Sequence, residues 1–519
     1  MTLGDQAEVI ALLSSPSTHG GAPVERIETH SAIVFLAGDR AWKLKRAVRY
    51  DYLDFTGVEH RKELCEAEVR INRRAAPALY RGVVAVTRQA DGSLALGGSG
   101  EPVEWVVEMT RFDQNDLFDR LAARGALDLA LMRPLAGAIA ELHAGAERRA
   151  DHGGRAGMSW VVEGNAQDFA ARGGGVLDPM RCAELTSESR RWIDRFGELL
   201  DSRRAAGFVR QCHGDLHLRN IVLFEGRPTL FDAVEFNDEI ACIDVWYDVA
   251  FLLMDLWKRG LPRHANVVWN AYLFEAEDFG GLPLVPFFLS CRAAVRAKTS
   301  LVASQVQSRP ERRAPLEHGA REYLTLGLSL LRPPPPVLIA IGGFSGTGKS
   351  ALARELAPRI GAAPGAVVLR SDQARKRLHG VDELARLSSE AYTLEASRRV
   401  YDLLRERSAQ AIAAGVATIA DAVFARPEER AAIEEVAGRA GVPFVGLWLE
   451  APEPVLLERV RARQRDASDA DVAVVRQQLA QTVGHVSWHR IDAAAVLEVV
   501  SAEALAMLRR RGAALEHQR

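Results

Sequence analysis

A glycine-rich loop, GGFSGTGKS at residues 342–350, constrains the fold of this 519-residue chain more than any other feature. It follows the apolar run VLIAI and precedes SALARELAPRI, which has the composition of a helix. Closely spaced glycines between a strand and a helix let successive backbone N–H groups converge on phosphate oxygens at the helix N-terminus. The sequence therefore predicts a strand, a phosphate-binding loop and a helix, as in a P-loop domain.

The spacing within the loop assigns roles to its side chains. Four residues separate Gly343 from Gly348, and Lys349 and Ser350 follow directly. In this pattern the lysine reaches the β- and γ-phosphates of a nucleotide, and the serine hydroxyl ligates Mg²⁺. The predicted ATP-binding residues are Gly343, Ser345, Gly346, Thr347, Gly348, Lys349 and Ser350, of which Ser350 is also a predicted metal ligand.

Apolar runs alternate with helical patterns from the loop onward. Such an alternation implies right-handed crossovers and a parallel sheet that is covered by helices on both faces. The predicted strands are 337–343, 366–371, 417–424, 442–450 and 494–500, and the predicted helices include 350–360, 391–414 and 427–440.

Two carboxylates and an arginine complete the prediction for this region. Asp372 follows the second strand, where open α/β sheets bind ligands, and it can accept a proton from a substrate hydroxyl. Asp421 ends the third strand and is a candidate for ordering Mg²⁺. Arg463, in RVRARQR, is the predicted catalytic arginine of a lid over the transferred phosphoryl group. A helix N-cap for Asp372 and a solvated basic face for the arginines are the alternatives.

Four consecutive prolines, Pro333 to Pro336, precede the loop. Proline runs form stiff extended spacers, so they predict a domain border. We expect a first domain at 1–331, a linker at 332–336 and a P-loop domain at 337–519. The first domain has strand patterns and one helix up to about residue 110 and is mostly helical after residue 115. The predicted fold class is therefore an α+β bilobal domain followed by an α/β domain with a parallel sheet.

A polar cluster, QCHGDLHLRN at 211–220, lies between two apolar segments. It contains H-x-D-x-x-x-x-N, with Asp215 and Asn220, and Asp232 follows twelve residues later in LFDAVEF. A hairpin between these segments would bring Asn220 and Asp232 to one end. The first aspartate can accept the proton of an attacking hydroxyl, and amide and carboxylate oxygens suit Mg²⁺. The pattern predicts phosphoryl transfer, with Asp215 as the base and Asn220 and Asp232 as metal ligands.

Lysine and glutamate side chains upstream supply the expected ATP-ordering pair. RAWKLKR places Lys43 and Lys45 on one face of a strand, and either can contact the phosphates, with Lys43 in AWK favoured. Glu68 lies on the apolar stripe of the next helix. Because burying an unpaired carboxylate is costly, we expect Glu68 to pair with the strand lysine.

These motifs make residues 24–305 resemble the aminoglycoside phosphotransferase and choline kinase branch of the kinase fold. The resemblance is carried by HGDLHLRN, with His217 two positions after the aspartate, and by IDVWYDVAFLLMDL. It implies that the backbone near Glu108 and Met109, in EWVVEMTRF, meets the adenine of ATP. The turn ETHSA stands where protein kinases have a glycine-rich loop. Asp244 and Asp248 are interpreted as helix-capping and loop-bracing groups.

The region after the prolines resembles the kinase branch of P-loop proteins, which includes polynucleotide 5′-hydroxyl kinases, gluconate-type kinases and zeta-type toxins. The whole chain resembles bacterial fusions of an aminoglycoside phosphotransferase-like domain with an ATP-binding domain. The resemblance implies ATP and Mg²⁺ as cofactors, and it does not identify either acceptor. Acidic side chains that could face a cationic sugar occur in EFNDEIACID, at Glu235, Asp238 and Glu239.

The composition narrows the function classes. A formal net charge of −2 gives no global electrostatic case for nucleic acid or an anionic membrane. Charges interrupt the apolar stretches before they reach a membrane-spanning length, and the N-terminus has no signal-peptide pattern. Five scattered cysteines without a CxxC pair favour reduced thiols in the cytoplasm over a zinc site or disulfides.

Three functions remain open at this point. The first is a two-site kinase that transfers the γ-phosphoryl group of ATP to the hydroxyl of a small molecule at each site. The second is one catalytic domain that is regulated by ATP binding at the other. The third is a polynucleotide 5′-hydroxyl kinase in the C-terminal domain, against which the near-neutral charge argues. The sequence favours the first function and leaves the oligomeric state open.

Overall fold

The computed structural model describes residues 6–50, 53–462 and 467–511. The chain divides into two compact units, of which the first comprises Met1–Asp168 with Thr186–Asp255 and the second Phe169–Leu185 with Leu256–Arg519. The four prolines therefore lie inside the second unit. The domain limits predicted from the sequence stay a prediction, and packing divides the chain further upstream. Among the described helices, none is both long and apolar enough to cross a membrane.

The first unit is built on a six-stranded antiparallel sheet with the order β1-β2-β3-β8-β6-β7. Two further two-stranded sheets pair β10 with β11 and β9 with β12, and a small ribbon pairs β4 with β5. The strands are β1 Val24–Glu28, β2 Ala32–Ala37, β3 Arg40–Lys45, β4 Arg49–Tyr50, β5 Leu53–Asp54, β6 Tyr80–Arg88, β7 Leu94–Leu96, β8 Glu101–Thr110, β9 Val209–Gln211, β10 Ile221–Phe224, β11 Arg227–Leu230 and β12 Cys242–Asp244.

The six-stranded sheet has an apolar core on each face. Helix α2 packs on one face through Cys65 and Val69, and α1 packs on the other through Val9 and Leu13. Helices dominate after the sheet, as the sequence predicts. The helices up to residue 258 are α1 Ala7–Ser14, α2 Val58–Asn72, α3 Phe118–Ala123, α4 Met132–Ala144, α5 Gly154–Arg172, α6 Pro179–Ala205, α7 Asp238–Ala241 and α8 Val245–Lys258.

The second unit contains a five-stranded parallel sheet with the order β14-β15-β13-β16-β17. Its strands are β13 Leu338–Gly342, β14 Val367–Arg370, β15 Thr418–Asp421, β16 Phe444–Glu450 and β17 His489–Asp492. The helices that follow α8 are α9 Pro262–Ala276, α10 Val285–Gln305, α11 Pro310–Leu330, α12 Lys349–Leu356, α13 Ser371–Leu378, α14 Leu394–Ala413, α15 Pro427–Ala440, α16 Glu453–Ala462, α17 Val472–Leu479 and α18 Leu497–Arg510. The predicted fold class is confirmed.

The predicted strand at 494–500 is wrong, because this segment leads into α18 and the fifth strand is β17. Val496 and Val499 are exposed, whereas Val500 packs in the core from the first turn of α18. The short strand HRID pairs in parallel with β16 and buries Ile491 in the same core as Leu447. An apolar run in the sequence does not show which of two neighbouring segments forms the fifth strand.

Two asparagines of α9 form hydrogen bonds with the outer edge of β14 and the residues just before it. The Asn266 Nδ2 donates to the backbone oxygens of Pro364 and Ala366 at 3.0 and 3.1 Å. The Asn270 Oδ1 accepts from Val368 N at 2.7 Å, and its Nδ2 donates to Ala366 O. Since an unpaired edge strand leaves backbone groups unsatisfied, these contacts make α9 a structural part of the P-loop sheet.

We expect the double variant Asn266→Ala/Asn270→Ala to lower the free energy of unfolding of the second unit by about 2–5 kcal/mol, because it leaves buried backbone groups without partners. Urea unfolding of the full-length chain measures this loss. A matched control is Gln481→Ala, an exposed amide in the same unit, which should change stability by less than about 0.5 kcal/mol. Equal stability of the double variant and the control would show that the edge is not held by α9.

Candidate functional site

The hairpin β10–β11 brings the predicted metal ligands of the first unit to one end. Asn220 directly precedes β10 and Asp232 lies just beyond β11, and Phe231 N donates to Asn220 O at 3.0 Å. The turn between the strands uses Glu225 and Gly226, both with positive φ, as a tight hairpin requires. The pairing of Ile221 with Leu230 fixes this register.

Asp215 lies beside Asn220 and His217 in the loop before the hairpin. The Asn220 Nδ2 donates to Asp215 Oδ2 at 3.0 Å and to its backbone oxygen at the same distance. The His217 Nε2 lies 3.4 Å from Asp215 Oδ2. The Asp215 side chain is 42% exposed. An oriented carboxylate that solvent and substrate can reach has the geometry of a general base.

Asp248 braces the catalytic loop through its backbone. Its Oδ2 accepts from His213 N at 3.0 Å and its Oδ1 accepts from Gly214 N at 2.9 Å. His143 Nε2 also lies 3.0 Å from Asp248 Oδ2, and all four residues belong to the first unit. The buried carboxylate is saturated by these donors, so its role is to hold the loop, as the sequence predicts. Asp244 instead pairs with Arg203 and caps α8.

Asp232 is held in a left-handed backbone conformation with φ of 62°. Its N–H donates to the hydroxyl oxygen of Tyr80 at 3.0 Å, and the next residue, Ala233, donates its N–H to Asn72 Oδ1 at 2.8 Å. A non-glycine residue in this region persists only where its surroundings fix it. Burial would raise the pKa of Asp232, but the Lys43 ammonium outweighs burial and the pKa is lowered.

Asp232 belongs to a cluster of two lysines and three carboxylates. The Lys43 Nζ is 2.8 Å from Glu68 Oε1 and 2.5 Å from Asp232 Oδ1. The Lys45 Nζ is 2.5 Å from Glu68 Oε2 and also pairs with Glu235. Burial would lower the pKa of Lys43, but the carboxylates outweigh it and the pKa is raised well above its usual range. Glu68 is thus shared by both lysines.

The geometry separates the two lysines that the sequence left as alternatives. The Lys43 side chain is 15% exposed and contacts the predicted metal ligand Asp232. The Lys45 side chain is 2% exposed and lies 5.2 Å from the centre of the Phe55 ring. Lys43 is therefore the more exposed of the two lysines and the one that contacts Asp232, which agrees with its preference in the sequence. The predicted pairing of Glu68 with a strand lysine agrees with these contacts.

We expect Asp232→Ala to weaken binding of MgATP at the first site by at least about tenfold, or ~1.4 kcal/mol, and to lower the transfer rate as well. The reason is the loss of a carboxylate that can ligate the metal and that faces Lys43. Titration of MgATP in a Lys349→Ala background, which removes the second site, measures the effect. Asp232→Asn keeps a residue that tolerates positive φ, and it controls for backbone strain. An unchanged MgATP affinity in both variants would exclude Asp232 as the ligand.

The adenine contact predicted at Glu108 and Met109 disagrees with the sheet. Both residues lie in β8, a central strand that pairs with β3 on one side and β6 on the other. Their backbone groups are therefore committed to the sheet, Met109 is buried, and the Glu108 side chain pairs with Arg40. The backbone after Arg111, at Phe112 and Asp113, is where the strand pairing ends.

His30 is a candidate that the sequence interpretation missed. It lies in the turn between β1 and β2, where protein kinases have their glycine-rich loop. Its pKa is lowered by burial and by Arg46, while Asp215 and Asp232 act in the opposite direction. The two carboxylates predicted for this site therefore influence the pKa of His30. The turn sequence ETHSA contains the histidine, but no sequence spacing relates it to Asp215 and Asp232, which lie almost 200 positions away.

The phosphate-binding loop of the second unit has the predicted strand–loop–helix context. It connects β13 with α12, and Gly343, Gly346 and Gly348 have positive φ. A Cβ on Gly343 would lie 2.5 Å from Leu449 O, and one on Gly346 would lie 2.7 Å from Leu456 O. Glycine is therefore required at both positions for backbone conformation and for space. The Ser345 N–H donates to Gln478 Oε1 at 2.8 Å, so α17 reaches the loop.

The predicted metal ligands of the second unit lie together. The Ser350 hydroxyl donates to Asp421 Oδ2 at 2.5 Å, and Arg370 Nε lies 3.5 Å from the same oxygen. Lys349 Nζ donates to Phe344 O at 3.0 Å, inside the loop. The parallel register pairs Asp421 with Ile341 and Arg370, so the carboxyl ends of three strands meet here. This is the edge at which open α/β sheets bind ligands.

Asp372 is the second residue of α13, at this edge of the sheet. Its pKa is raised by burial and by Asp421, while Arg370 and Lys349 act in the opposite direction. A carboxylate with a raised pKa beside a phosphate-binding loop suits proton transfer from a hydroxyl. The helix N-cap alternative is not favoured, because the N-cap position of α13 is Arg370.

The other basic residues of this region are bound within the protein. Arg375 donates to Ala391 O and lies 4.7 Å from the centre of the Tyr392 ring. Lys376 pairs with Asp469 at 2.5 Å. These contacts tie α13 to the residues at 391–392 and to Asp469. Arg463, the predicted catalytic arginine, lies outside the described residues.

Both sites carry donor sets that fit a magnesium nucleotide. At the first site, Asp232 and Asn220 offer carboxylate and amide oxygens next to the Lys43 ammonium. At the second, Ser350 and Asp421 offer a hydroxyl and a carboxylate beside the backbone N–H groups of the loop. Oxygen donors of this kind are those that Mg²⁺ prefers. The chemistry of the residues therefore fits the two cofactors expected from the sequence.

Comparisons with known proteins agree with this organisation. A family model described as an AAA domain matches residues 338–484. The uncharacterized protein Rv2004c of Mycobacterium tuberculosis is 30% identical over 482 residues, which are 90% of this chain and 92% of that protein. An adenylyl-sulfate kinase of Myxococcus xanthus is 31% identical over 122 residues, which are 24% of this chain and 62% of that enzyme.

A solved structure of a choline/ethanolamine kinase family protein from Mesorhizobium loti covers 64% of this chain and 99% of its own, with 14% identity and a TM-score of 0.37. The match to the M. tuberculosis relative covers 90% of this chain, so it spans both units. The enzyme class predicted from the sequence, a kinase, is confirmed.

Proposed function

The chain belongs to the family that includes the M. tuberculosis protein Rv2004c, and on this premise we propose that it is a two-site ATP-dependent phosphotransferase. Each site transfers the γ-phosphoryl group of ATP to a hydroxyl group of a small molecule. The observation that carries the proposal is the presence of two separate constellations, each with a lysine for phosphates, oxygen ligands for a metal and a carboxylate for the acceptor proton. An ATP sensor would need only the first two of these.

At the first site, the acceptor hydroxyl gives its proton to the Asp215 carboxylate. Its oxygen then forms a bond to the γ-phosphorus as the bond from that phosphorus to the β,γ-bridging oxygen breaks, and ADP leaves. Asn220 and His217 orient Asp215, and Asp248 holds the loop that carries it. Lys43 neutralises phosphate charge. Bound Mg²⁺ would add positive charge to the β- and γ-phosphates when Asn220 and Asp232 hold it.

At the second site, the backbone N–H groups of the phosphate-binding loop and Lys349 hold the phosphates. Asp372 accepts the proton of the acceptor hydroxyl, a role that its raised pKa favours. Ser350 and Asp421 would hold the metal ion. The same bond changes apply, so ADP and a phosphorylated alcohol are the products. Both sites therefore carry out one class of reaction with different side chains.

An acidic pocket for a cationic aminoglycoside is not supported by the contacts of the three acids that the sequence suggested. Glu235 is buried and pairs with Lys45. Asp238 pairs with Arg149 at 3.0 Å, and Glu239 lies 3.7 Å from His152. Since each acid already has a cationic partner or a histidine nearby, we propose a small hydroxyl metabolite in general as the acceptor and do not assign a cationic sugar.

The experiment that tests the proposal is a search for phosphorylated products by mass shift. Full-length protein is incubated with MgATP and a metabolite extract, and products are compared among the wild type, Asp215→Asn and Lys349→Ala. We expect two product sets, each gaining about 80 Da and each lost in one variant only. A single product set would favour one catalytic site regulated by the other. Transfer to 5′-hydroxyl oligonucleotides in a parallel reaction would favour the polynucleotide kinase alternative.

A further inference from the structure

Lys45 is a fully buried lysine that the expected chemistry of the first site does not use. It lies on β3 two residues after Lys43, and both side chains point to the same face of the sheet. Its ammonium contacts Glu68 and Glu235, and its side chain is 2% exposed. Burying an ammonium is costly, so a structure keeps one only where charged partners stabilise it. The two carboxylates provide those partners.

The contacts of Glu68 explain why a second lysine would be kept. Each of its carboxylate oxygens contacts a different ammonium, Oε1 that of Lys43 and Oε2 that of Lys45. Glu68 has no exposure to solvent. When Lys43 donates to ATP phosphates, part of its hydrogen bonding leaves Glu68. Lys45 still holds the other oxygen, so Glu68 keeps a charged partner and a fixed position throughout the reaction.

Glu235 extends the same arrangement to the segment that carries Asp232. Glu235 lies three positions after Asp232. It anchors this segment to Lys45, while Asn72 anchors Ala233 to α2. Burial raises the pKa of Glu235, and Lys45 acts in the opposite direction. The metal-binding segment and the glutamate of α2 are thus held by one buried ammonium.

We infer that Lys45 is a positioning residue for phosphoryl transfer, which fixes Glu68 and the Asp232 segment so that Lys43 can serve ATP. Lys45 acts through Lys43 and does not contact the nucleotide. The inference rests on the proposed function of the first site. Phosphoryl transfer needs only one strand lysine to contact the phosphates, and the inference gives the second lysine a role as well.

A double-mutant cycle tests the inference in the full-length chain with Lys349→Ala present to silence the second site. The activity measured is the turnover of MgATP that Asp215→Asn abolishes, with water or an acceptor found by mass shift as the phosphoryl acceptor. We expect Lys45→Met to lower this turnover at least about tenfold. In a Lys43→Met background, adding Lys45→Met should change turnover by less than about threefold, because positioning acts through Lys43.

A control variant and a second double variant distinguish a loss of positioning from a loss of folding. Lys62→Met, on α2 with its ammonium 4.8 Å from the centre of the Trp105 ring, is the matched control and should stay within about twofold of wild type. If Lys45→Met does not fold, Lys45→Met/Glu235→Gln replaces the buried ion pair by a neutral pair and removes the unpaired charge. We expect this double variant to fold and still to lose at least about tenfold in turnover.

Three outcomes would overturn the inference. The first is wild-type turnover in Lys45→Met. The second is that the losses caused by Lys43→Met and Lys45→Met multiply in the double variant. The third is full activity of Lys45→Met/Glu235→Gln, which would mean that Lys45 only neutralises the charge of its partners. Failure of the proposed function looks different, because then the wild type shows no turnover that depends on Asp215. The comparison of wild type with Asp215→Asn therefore separates the two failures.

Discussion

The Asp215→Asn variant of the full-length chain is expected to transfer phosphate at its first site at least about 100-fold more slowly than the wild type, the usual scale for a positioned acid–base group. An amide cannot accept the proton of the attacking hydroxyl. It has almost the shape of the carboxylate and retains an oxygen that Asn220 Nδ2 can donate to. Binding of MgATP should therefore change little, because Lys43 and Asp232 are unaltered.

Product formation at the first site, followed by mass spectrometry, and equilibrium binding of MgATP together check this prediction. Asp91→Asn, an exposed aspartate in the turn after β6, is the matched control and should behave as wild type. Transfer near the wild-type rate by Asp215→Asn would remove Asp215 from the role of base. His217, 3.4 Å from Asp215, would be the next residue to test.

Local spacing explains why much of the first site could be predicted. H-x-D-x-x-x-x-N and the aspartate twelve residues later flank two short apolar segments, and such segments pair as a hairpin when a tight turn joins them. The turn at Glu225 and Gly226 meets that condition. Glu68 could be placed because a lone acid on an apolar helical stripe must find a buried cation. Each of these inferences needs only residues that are close along the chain or a general cost of burial.

The AWK motif favours Lys43, but the sequence does not show which carboxylates contact each lysine, because two of them come from a distant segment. Asp232 and Glu235 are about 190 positions away from the two lysines, and period-2 alternation only shows that both lysines share a face. Which lysine faces the nucleotide depends on how that segment crosses the sheet. This is tertiary information that a strand pattern does not contain.

The adenine contact predicted at Glu108 and Met109 depends on sheet order in a related way. A strand pattern at EWVVEMTRF shows where β8 is, but it does not show that β8 lies in the middle of its sheet between β3 and β6. A central strand uses its backbone groups on both sides, whereas a hinge needs free ones. The contact stays a prediction, which this sheet order does not favour.

Proline composition predicts a border at 332–336, and the four prolines lie within the second compact unit. Four prolines predict a spacer, yet α9, which precedes them, supplies Asn266 and Asn270 to the edge of β14. Nothing in the sequence around these asparagines distinguishes them from ordinary helix residues. Because α9 completes the P-loop sheet, tests of the second site are best made on the full-length chain and not on a fragment that begins at residue 337.

Lys349→Ala should lower nucleotide turnover at the second site by at least about 100-fold, the scale for removing a preorganised group that stabilises transition-state charge. The loop should keep its shape, since its conformation depends on glycines with positive φ at 343, 346 and 348 and on the hydrogen bond from Ser345 to Gln478. Loss of activity would then report the loss of the ammonium. Thermal unfolding of the variant checks that the unit remains folded.

The same variant also tests whether the two sites are coupled. Coupling requires an element with two alternative arrangements that both sites bias, and neither constellation supplies one. We therefore expect Lys349→Ala to change transfer at the first site by less than about threefold, which is under ~1 kcal/mol. Glu458→Gln, a carboxylate on α16 outside both constellations, serves as the control for nonspecific effects. If Lys349→Ala silences the first site while that unit stays folded and binds MgATP, the P-loop unit is a switch, and one catalytic site regulated by the other replaces the two-site kinase.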